Sequence, residues 1–136
     1  MIRYVDSIES VAVENLGGFF VGWQNPPSPE THLELLKNSS AVVLAVNSET
    51  GNVIGFITAI SDGVLSAYIP LLEVLPENQK QGIGLELARR MLEKLKDLYM
   101  VDLLCDEELQ SFYTKLGMKQ AQGMFLRNYK RQAGAK

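Results

Sequence analysis

LLEVLPENQKQGIGLELARRMLEKLK, residues 71–96, is the stretch on which the reading of this chain turns. An apolar strand ends at Pro76, a polar turn carries Gln79-Lys80-Gln81-Gly82-Ile83-Gly84, and a helix begins at once. Glycines two residues apart let backbone approach a bulky ligand without a Cβ in the way. The helix start behind them offers unpaired N–H groups and the positive end of a dipole, which together form an anion site. The turn is therefore read as a phosphate-holding loop.

Other phosphate loops fit less well. A P-loop requires Gly, four residues and Gly-Lys-Ser/Thr, a string the chain lacks. A dinucleotide fingerprint requires a third glycine where Leu87 stands, and its strand should open the domain rather than fall in mid-chain.

At 136 residues the chain suits one domain, residues 1–136, large enough for a real core. With 46% hydrophobic and 21% charged residues it reads as soluble and globular. A net charge of −3 argues against a nucleic-acid binder, which would be basic. Cys105 is the only cysteine, so no intramolecular disulfide forms and a reducing compartment fits. Asp6 and Glu9 stand where a secretory signal would be apolar, and no apolar run approaches a membrane span. The expectation is a cytoplasmic protein with neither nucleic-acid nor membrane partners.

Outward from the central stretch, Ile2–Val5 reads as a first strand and Ser10–Leu16 as a brief helix stopped by Gly17-Gly18. Phe19-Phe20-Val21-Gly22-Trp23 leads into a proline-rich loop. The next helix has Ser28 as N-cap, Pro29 at its first position and Glu30 in its first turn, with Leu33, Leu36 and Leu35 as its buried stripe. His32 is taken as an exposed residue of that helix. Ala41–Val46 and Val53–Ile60 form a hairpin, and a long strand follows from Val64 to Leu75, bulged or kinked at Pro70. In the central helix, Ile83, Leu87, Met91 and Leu95 share one face, with Glu86–Arg90 and Arg89–Glu93 as exposed pairs. Val101–Cys105 is read as a strand parallel to its predecessor, because a helix joins the two. Asp106 then caps a helix over Glu107–Leu116, Met124–Tyr129 is a final strand, and the tail 131–136 is disordered.

Gln-x-x-Gly-x-Gly after a strand ending Leu-Glu-Val-Leu-Pro closely resembles the acetyl-CoA loop of the GNAT superfamily of N-acetyltransferases. Ser111-Phe112-Tyr113-Thr114-Lys115-Leu116-Gly117-Met118 resembles that family's second signature, and the element order matches across essentially the whole chain. The resemblance implies an α/β (α+β) GNAT fold, a mixed and mostly antiparallel sheet of about six strands flanked by about four helices. It implies that the amides of Gln79, Lys80, Gln81, Gly82, Ile83 and Gly84 hold the pyrophosphate of acetyl-CoA. The pantetheine arm would pair with backbone near Leu72 and Val74, and no metal would be required. Asp106 stands where many members have Asn contacting pantetheine; an ionised carboxylate accepts hydrogen bonds there but donates none.

By the same resemblance Tyr113 lies near the thioester sulfur and protonates the departing thiolate, a role open to a well-placed phenol. The acceptor amine must be neutral to attack, so a base or a water relay to one is required. Positions used as base by better-known members fall on Tyr68 and Val101, neither a carboxylate. Glu73, on the strand entering the loop, is the candidate base. Cys105 as a nucleophile has little support without a histidine partner. Trp23 and its neighbouring phenylalanines fall where the superfamily shapes its acceptor pocket, although at least two of the three aromatics read as core. The carboxyl third is also similar to plant chloroplast members acting on arylalkylamines and protein lysines. The implied function is acetyl transfer from acetyl-CoA to a primary amine in a ternary complex, the amine of a small molecule first and of a protein or peptide second. A non-catalytic acyl-CoA-binding module is the alternative, and a homodimer is one assembly the chain allows.

Overall fold

The computed structural model describes residues 1–134. β1 (Ile2–Val5) is followed by a single 3-10 turn at Val13–Asn15, where a brief helix was expected, and then by α1 (Pro29–Asn38). β2 (Ala41–Asn47), β3 (Val53–Ser61), β4 (Ser66–Tyr68) and β5 (Leu72–Val74) lead to α2 (Ile83–Lys94), β6 (Met100–Asp102) and α3 (Gln110–Thr114). The six strands form one mixed sheet in the order β1-β2-β3-β4-β6, with β5 also on β3. The β4–β6 pair is parallel and the others are antiparallel. The GNAT architecture expected from the sequence is therefore present. No helix among the described residues is long and apolar enough to cross a membrane.

β2 and β3 are near-continuous apolar runs because both faces of the sheet are covered. On one face, Val43, Ala45 and Ile57 pack against Ile83, Leu87 and Met91 of α2. These three helix residues and Leu95, predicted to share a face, are all buried. Gly55 sets the helix-to-sheet distance, since a Cβ there would lie 3.1 Å from Leu87 Cδ1 and 3.3 Å from Ile83 Cγ2. On the other face, Val42, Leu44 and Phe56 pack with Leu36 of α1 and with Leu16 and Phe20 of the preceding loop.

The strand expected over Val64–Leu75 divides at Pro70, which has no N–H to give a ladder. β3 takes two successive partners: Gly55–Ile57 pair with β5, and Ile60–Ser61 pair with β4. α1 begins as read, with Ser28 Oγ accepting the Thr31 N–H at 3.1 Å and Pro29 at the first position. On α2, Glu86 receives both Arg89 and Arg90, and Lys96 takes Glu93, so the expected Arg89–Glu93 pair is not made.

The carboxyl third departs most from expectation. Of Val101–Cys105 only the first two residues lie in a strand. The Asp106 side chain makes no capping bond, and the helix behind it is a 3-10 turn (Glu107–Leu109) followed by five α residues. Met124–Tyr129 forms no strand and runs exposed. Residues 131–134, expected to be disordered, turn back onto the α1 side, where Gln132 Oε1 accepts the Asn25 N–H at 2.9 Å. The remainder of that tail, residues 135–136, lies outside the described residues.

His32 is buried, not exposed, with 1% of its surface accessible. Its ring lies against Phe19, Phe20 and Phe56 at 4.5–5.3 Å between centroids, and neither ring nitrogen has a hydrogen-bond partner among the described residues. Burial alone pushes its pKa down to about 4. Between that value and its ordinary 6.5 the unfolded chain binds a proton that the folded chain refuses. Stability from this residue is therefore complete above about pH 6.5 and lost as the pH falls toward 4, by up to about 3 kcal/mol. Urea titrations across that range should show the slope in the native chain, and His32→Phe should flatten it; an identical slope in both would refute the assignment.

Candidate active site

The turn after β5 is shaped by its own polar groups. A 3-10 turn at Pro76–Asn78 redirects the chain, and Gln79 Nε2 reaches back to donate to the Val74 carbonyl at 3.0 Å. Lys80 (φ 64°) and Gly82 (φ 81°) then adopt the left-handed conformation, Gly82 as N-cap of α2. For lysine that conformation is uncommon, and such strain concentrates where a loop is held for function.

The loop leaves a run of amides open. Among the described residues, positions 80–82 donate no backbone hydrogen bond. The first helical bond runs from the Glu86 N–H to the Gly82 carbonyl at 3.1 Å, so Ile83, Gly84 and Leu85 also lack a helical acceptor. Consecutive free N–H groups at a helix's positive end form a concave anion cradle. The side chain of Ile83 is in the core, so only its amide is available. A Cβ at Gly82 would meet nothing within 4 Å, whereas one at Gly84 would lie 3.7 Å from Val74 Cγ2 and 4.0 Å from Phe112 Cζ. Gly84 is thus the point where the loop, β5 and α3 converge. The residues present fit a pyrophosphate.

Beside the cradle the sheet is open. β4 keeps its parallel partner through Asp102, whose carbonyl accepts the Ile69 N–H at 2.9 Å. Beyond that point β5 pairs only with β3, and residues 103–105 form no ladder with it. The backbone of Leu72 and Val74 therefore keeps one edge free, while their side chains pack on the α2 face.

Tyr113 of α3 is buried, 9% exposed, with its ring edge-on to Phe112 at 4.9 Å. Its hydroxyl makes no hydrogen bond among the described residues. Burial, with a smaller contribution from Cys105, pushes its pKa up to about 12, so the phenol keeps its proton. The Cys105 thiol is likewise pushed up by burial, then by Asp106 and Glu108, which disfavours a reactive thiolate.

Glu73 faces the other side of the sheet, opposite Phe56 in the ladder. Its two oxygens accept the N–H groups of Phe20 at 2.9 Å and Val21 at 3.2 Å. Phe20 itself sits at φ 63°, so the carboxylate holds the aromatic loop in a left-handed turn. Two of the roughly four lone-pair directions of a carboxylate are then taken. Phe20 is core and Phe19 packs against it, leaving Trp23 as the exposed aromatic, 39% accessible.

Trp23, Phe20, Pro27, Glu34 and Leu71 line a cleft of about 350 Å³ on this α1 face. None of the cradle residues 79–85 lines it. Sequence reading placed Trp23 and its neighbours at a pocket but did not find Pro27, Glu34 and Leu71, because α1, the 19–27 loop and Leu71 come together only in the folded chain. Glu34 is its one ionisable side chain.

A strand–turn–helix amide cradle thus lies beside a split sheet, with a buried phenol on the next helix, in a mixed α/β architecture. The sequence model of the acetyltransferase (GNAT) family matches residues 8–118. This chain belongs to that family.

The chain is 50% identical to a Deinococcus radiodurans R1 protein assigned as an acetyltransferase. The two structures superpose with a TM-score of 0.95 over 99% of this chain and 94% of the other. It is 29% identical over 101 residues to ycf52 of Pyropia yezoensis, an uncharacterized N-acetyltransferase, covering 71% of this chain and 58% of that protein. A match of 38% over 69 residues links it to the chloroplastic GCN5-related N-acetyltransferase 3 of Arabidopsis thaliana, covering 49% and 29%. The chain thus spans little more than half the length of the first of these curated relatives and less of the second.

Proposed function

We propose that this chain transfers the acetyl group of acetyl-CoA to a primary amine, that of a small molecule in preference to that of a protein or peptide. The observation that carries the reading is the run of free amides at 80–85, brought against α3 at Gly84. In this reading Gln79, Lys80, Gln81, Gly82, Ile83 and Gly84 hold the pyrophosphate through the main chain. The free edge at Leu72 and Val74 pairs with the pantetheine amides, and Asp106 accepts a hydrogen bond beside them. A neutral amine attacks the thioester carbonyl directly; the C–N bond forms and the C–S bond breaks. Tyr113, kept protonated by its burial, donates its hydroxyl to the sulfur as the C–S bond breaks, and the phenolate recovers a proton from solvent once the thiol has left. Glu73, through its open lone pairs and a water, receives the proton that the amine loses.

The cleft on the α1 face supports the preference for a small acceptor. Trp23 and Leu71 offer an apolar wall, and Glu34 offers a counter-charge for an amine still protonated on arrival. The single free cysteine suits a reducing, cytoplasmic setting. A second reading, a non-catalytic acyl-CoA-binding module, is favoured by the engagement of both Glu73 oxygens in holding the loop.

Free-thiol release from acetyl-CoA against a panel of arylalkylamines, polyamines, amino acids and lysine peptides separates the two. Release that depends on one class of small amine is the expected result. Tight acetyl-CoA binding without amine-dependent release would instead establish the module, and absence of binding would overturn both.

A further inference from the structure

Acetyl transfer needs a neutral amine, and the reading above already gives Glu73 the proton that the amine loses. A second carboxylate fixed beside the same nitrogen would only keep the proton there. Glu34, the one ionisable side chain of the α1-face cleft, can draw an amine in but is ill suited to hold the nitrogen that reacts. Its surroundings suit a group that stays charged. The Glu34 carboxylate enters no hydrogen bond or ion pair among the described residues. One turn on, Asn38 also lines the cleft, and its Nδ2 donates to the Glu34 carbonyl at 2.8 Å, which leaves Asn38 Oδ1 as an acceptor. The helix side of the cleft therefore offers a carboxylate and an amide oxygen together.

The other walls differ in kind. Phe20 and Trp23 of the loop are aromatic, and Leu71 belongs to the strand entering the split. Leu71 adjoins Leu72, whose backbone edge is free, so the reacting end of an acceptor belongs on this side. The chain's end supplies one more wall: Gln132 Oε1 accepts the Asn25 N–H at 2.9 Å, and a Cβ on Gly134 would lie 3.0 Å from Thr31 Cγ2. The enclosed volume is about 350 Å³. At about 30 Å³ for each water-sized group, that is room for on the order of ten non-hydrogen atoms.

We infer that the preferred acceptor is a short diamine. One amine, neutral, reacts on the Leu71 side; the other, an ammonium, is held by Glu34 and Asn38, with the carbon chain between them lying on Phe20 and Trp23. An ammonium has three donors and no acceptor, which the Glu34 carboxylate and Asn38 Oδ1 match. The indole face of Trp23 adds attraction for a cation. A monoamine would leave both oxygens facing an apolar end, and an amino acid would bring a carboxylate against Glu34. The C–N bond forms at the near amine as the C–S bond breaks, giving a monoacetylated diamine and the free thiol of coenzyme A, with the far ammonium unchanged. This inference rests on the transfer proposed above and adds which small amine is chosen.

Cadaverine, pentylamine and δ-aminovalerate share a chain length and differ at the far end, so they test it. Thiol release should give cadaverine a kcat/KM about tenfold or more above that of pentylamine, with aminovalerate lowest. Trp23 is the chain's only tryptophan, so its fluorescence reports occupancy of the cleft without turnover, and affinities should fall in the same order. Glu34→Gln should bring the cadaverine-to-pentylamine ratio toward one, and Glu34→Lys should turn the preference to aminovalerate. Glu34 is exposed and its side chain has no partner among the described residues, so both variants should keep the native circular dichroism spectrum. A ratio near one in the native chain, or a cadaverine preference that survives both substitutions, would overturn the inference and leave acetyl transfer standing. Binding in the expected order without thiol release from any amine would do the reverse, sustaining the diamine site and removing the reaction. Neither binding nor release with all three would overturn both.

Discussion

Tyr113→Phe should reduce amine-dependent acetyl transfer about a hundredfold or more while acetyl-CoA affinity stays nearly unchanged. The phenyl ring keeps the packing of the side chain beside Phe112, so only the hydroxyl is lost. The proposed role of that hydroxyl is confined to the step in which sulfur departs, and removing an interaction made only then lowers turnover without weakening binding. The pH profile adds a sign. Because the pKa of Tyr113 is raised to about 12, the phenol remains an acid throughout the working range. The deficit of the variant should therefore be constant from neutral pH to well above 9. A deficit that vanishes as pH rises, or a variant with native turnover, would remove Tyr113 from the mechanism. Steady-state kinetics beside calorimetric titration of acetyl-CoA make the measurement.

Gly82→Val should weaken acetyl-CoA binding by roughly a hundredfold. Gly82 holds φ 81°, a conformation in which a side chain costs about 1–2 kcal/mol and a β-branched one most. Relief of that strain turns the amides on either side away from a common centre. Loss of two hydrogen bonds to a charged group, at about 1.5 kcal/mol each, corresponds to the stated factor. Space is not the cause, because a Cβ there meets nothing within 4 Å. The variant should therefore fold, with a melting point only a few degrees lower. Native affinity in a folded Gly82→Val protein would show that the cradle is not where the cosubstrate binds.

Much of this fold could be read from residue spacing, for reasons visible in particular elements. The fourfold repeat of Ile83, Leu87, Met91 and Leu95 could satisfy only one buried helical face, and all four are buried. The runs in β2 and β3, joined by Asn-Ser-Glu-Thr-Gly-Asn, left little choice but a covered hairpin. His32 shows the limit of reading by residue type. It lies one turn from Leu36, on the buried side, and that spacing was the available signal; histidine's usual place at the surface outweighed it. Asp106 and Glu107–Leu116 had the composition of a capped helix but not the packing to sustain a long one. Met124–Tyr129 has the residues of a strand, yet a strand exists only where another edge meets it, and that depends on topology rather than on local pattern. The cleft on the α1 face was legible only at its aromatic loop for a related cause: its walls come from three segments far apart in sequence.

Pro70 carries a consequence for how this protein tolerates change. By dividing one strand into β4 and β5, it leaves bare peptide groups along Leu72 and Val74, next to those of the turn through Gly82. Recognition at both, as proposed, is written in peptide dipoles that every residue except proline possesses. Side chains at Lys80 and Gln81, which point away from the core, are then free to vary without altering what the cradle offers, whereas the torsion angles at Gly82 are not. On the proposed function, the grip on the cosubstrate is a backbone shape, and substrate choice falls to the separate cleft on the α1 face. One can drift under selection while the other stays fixed.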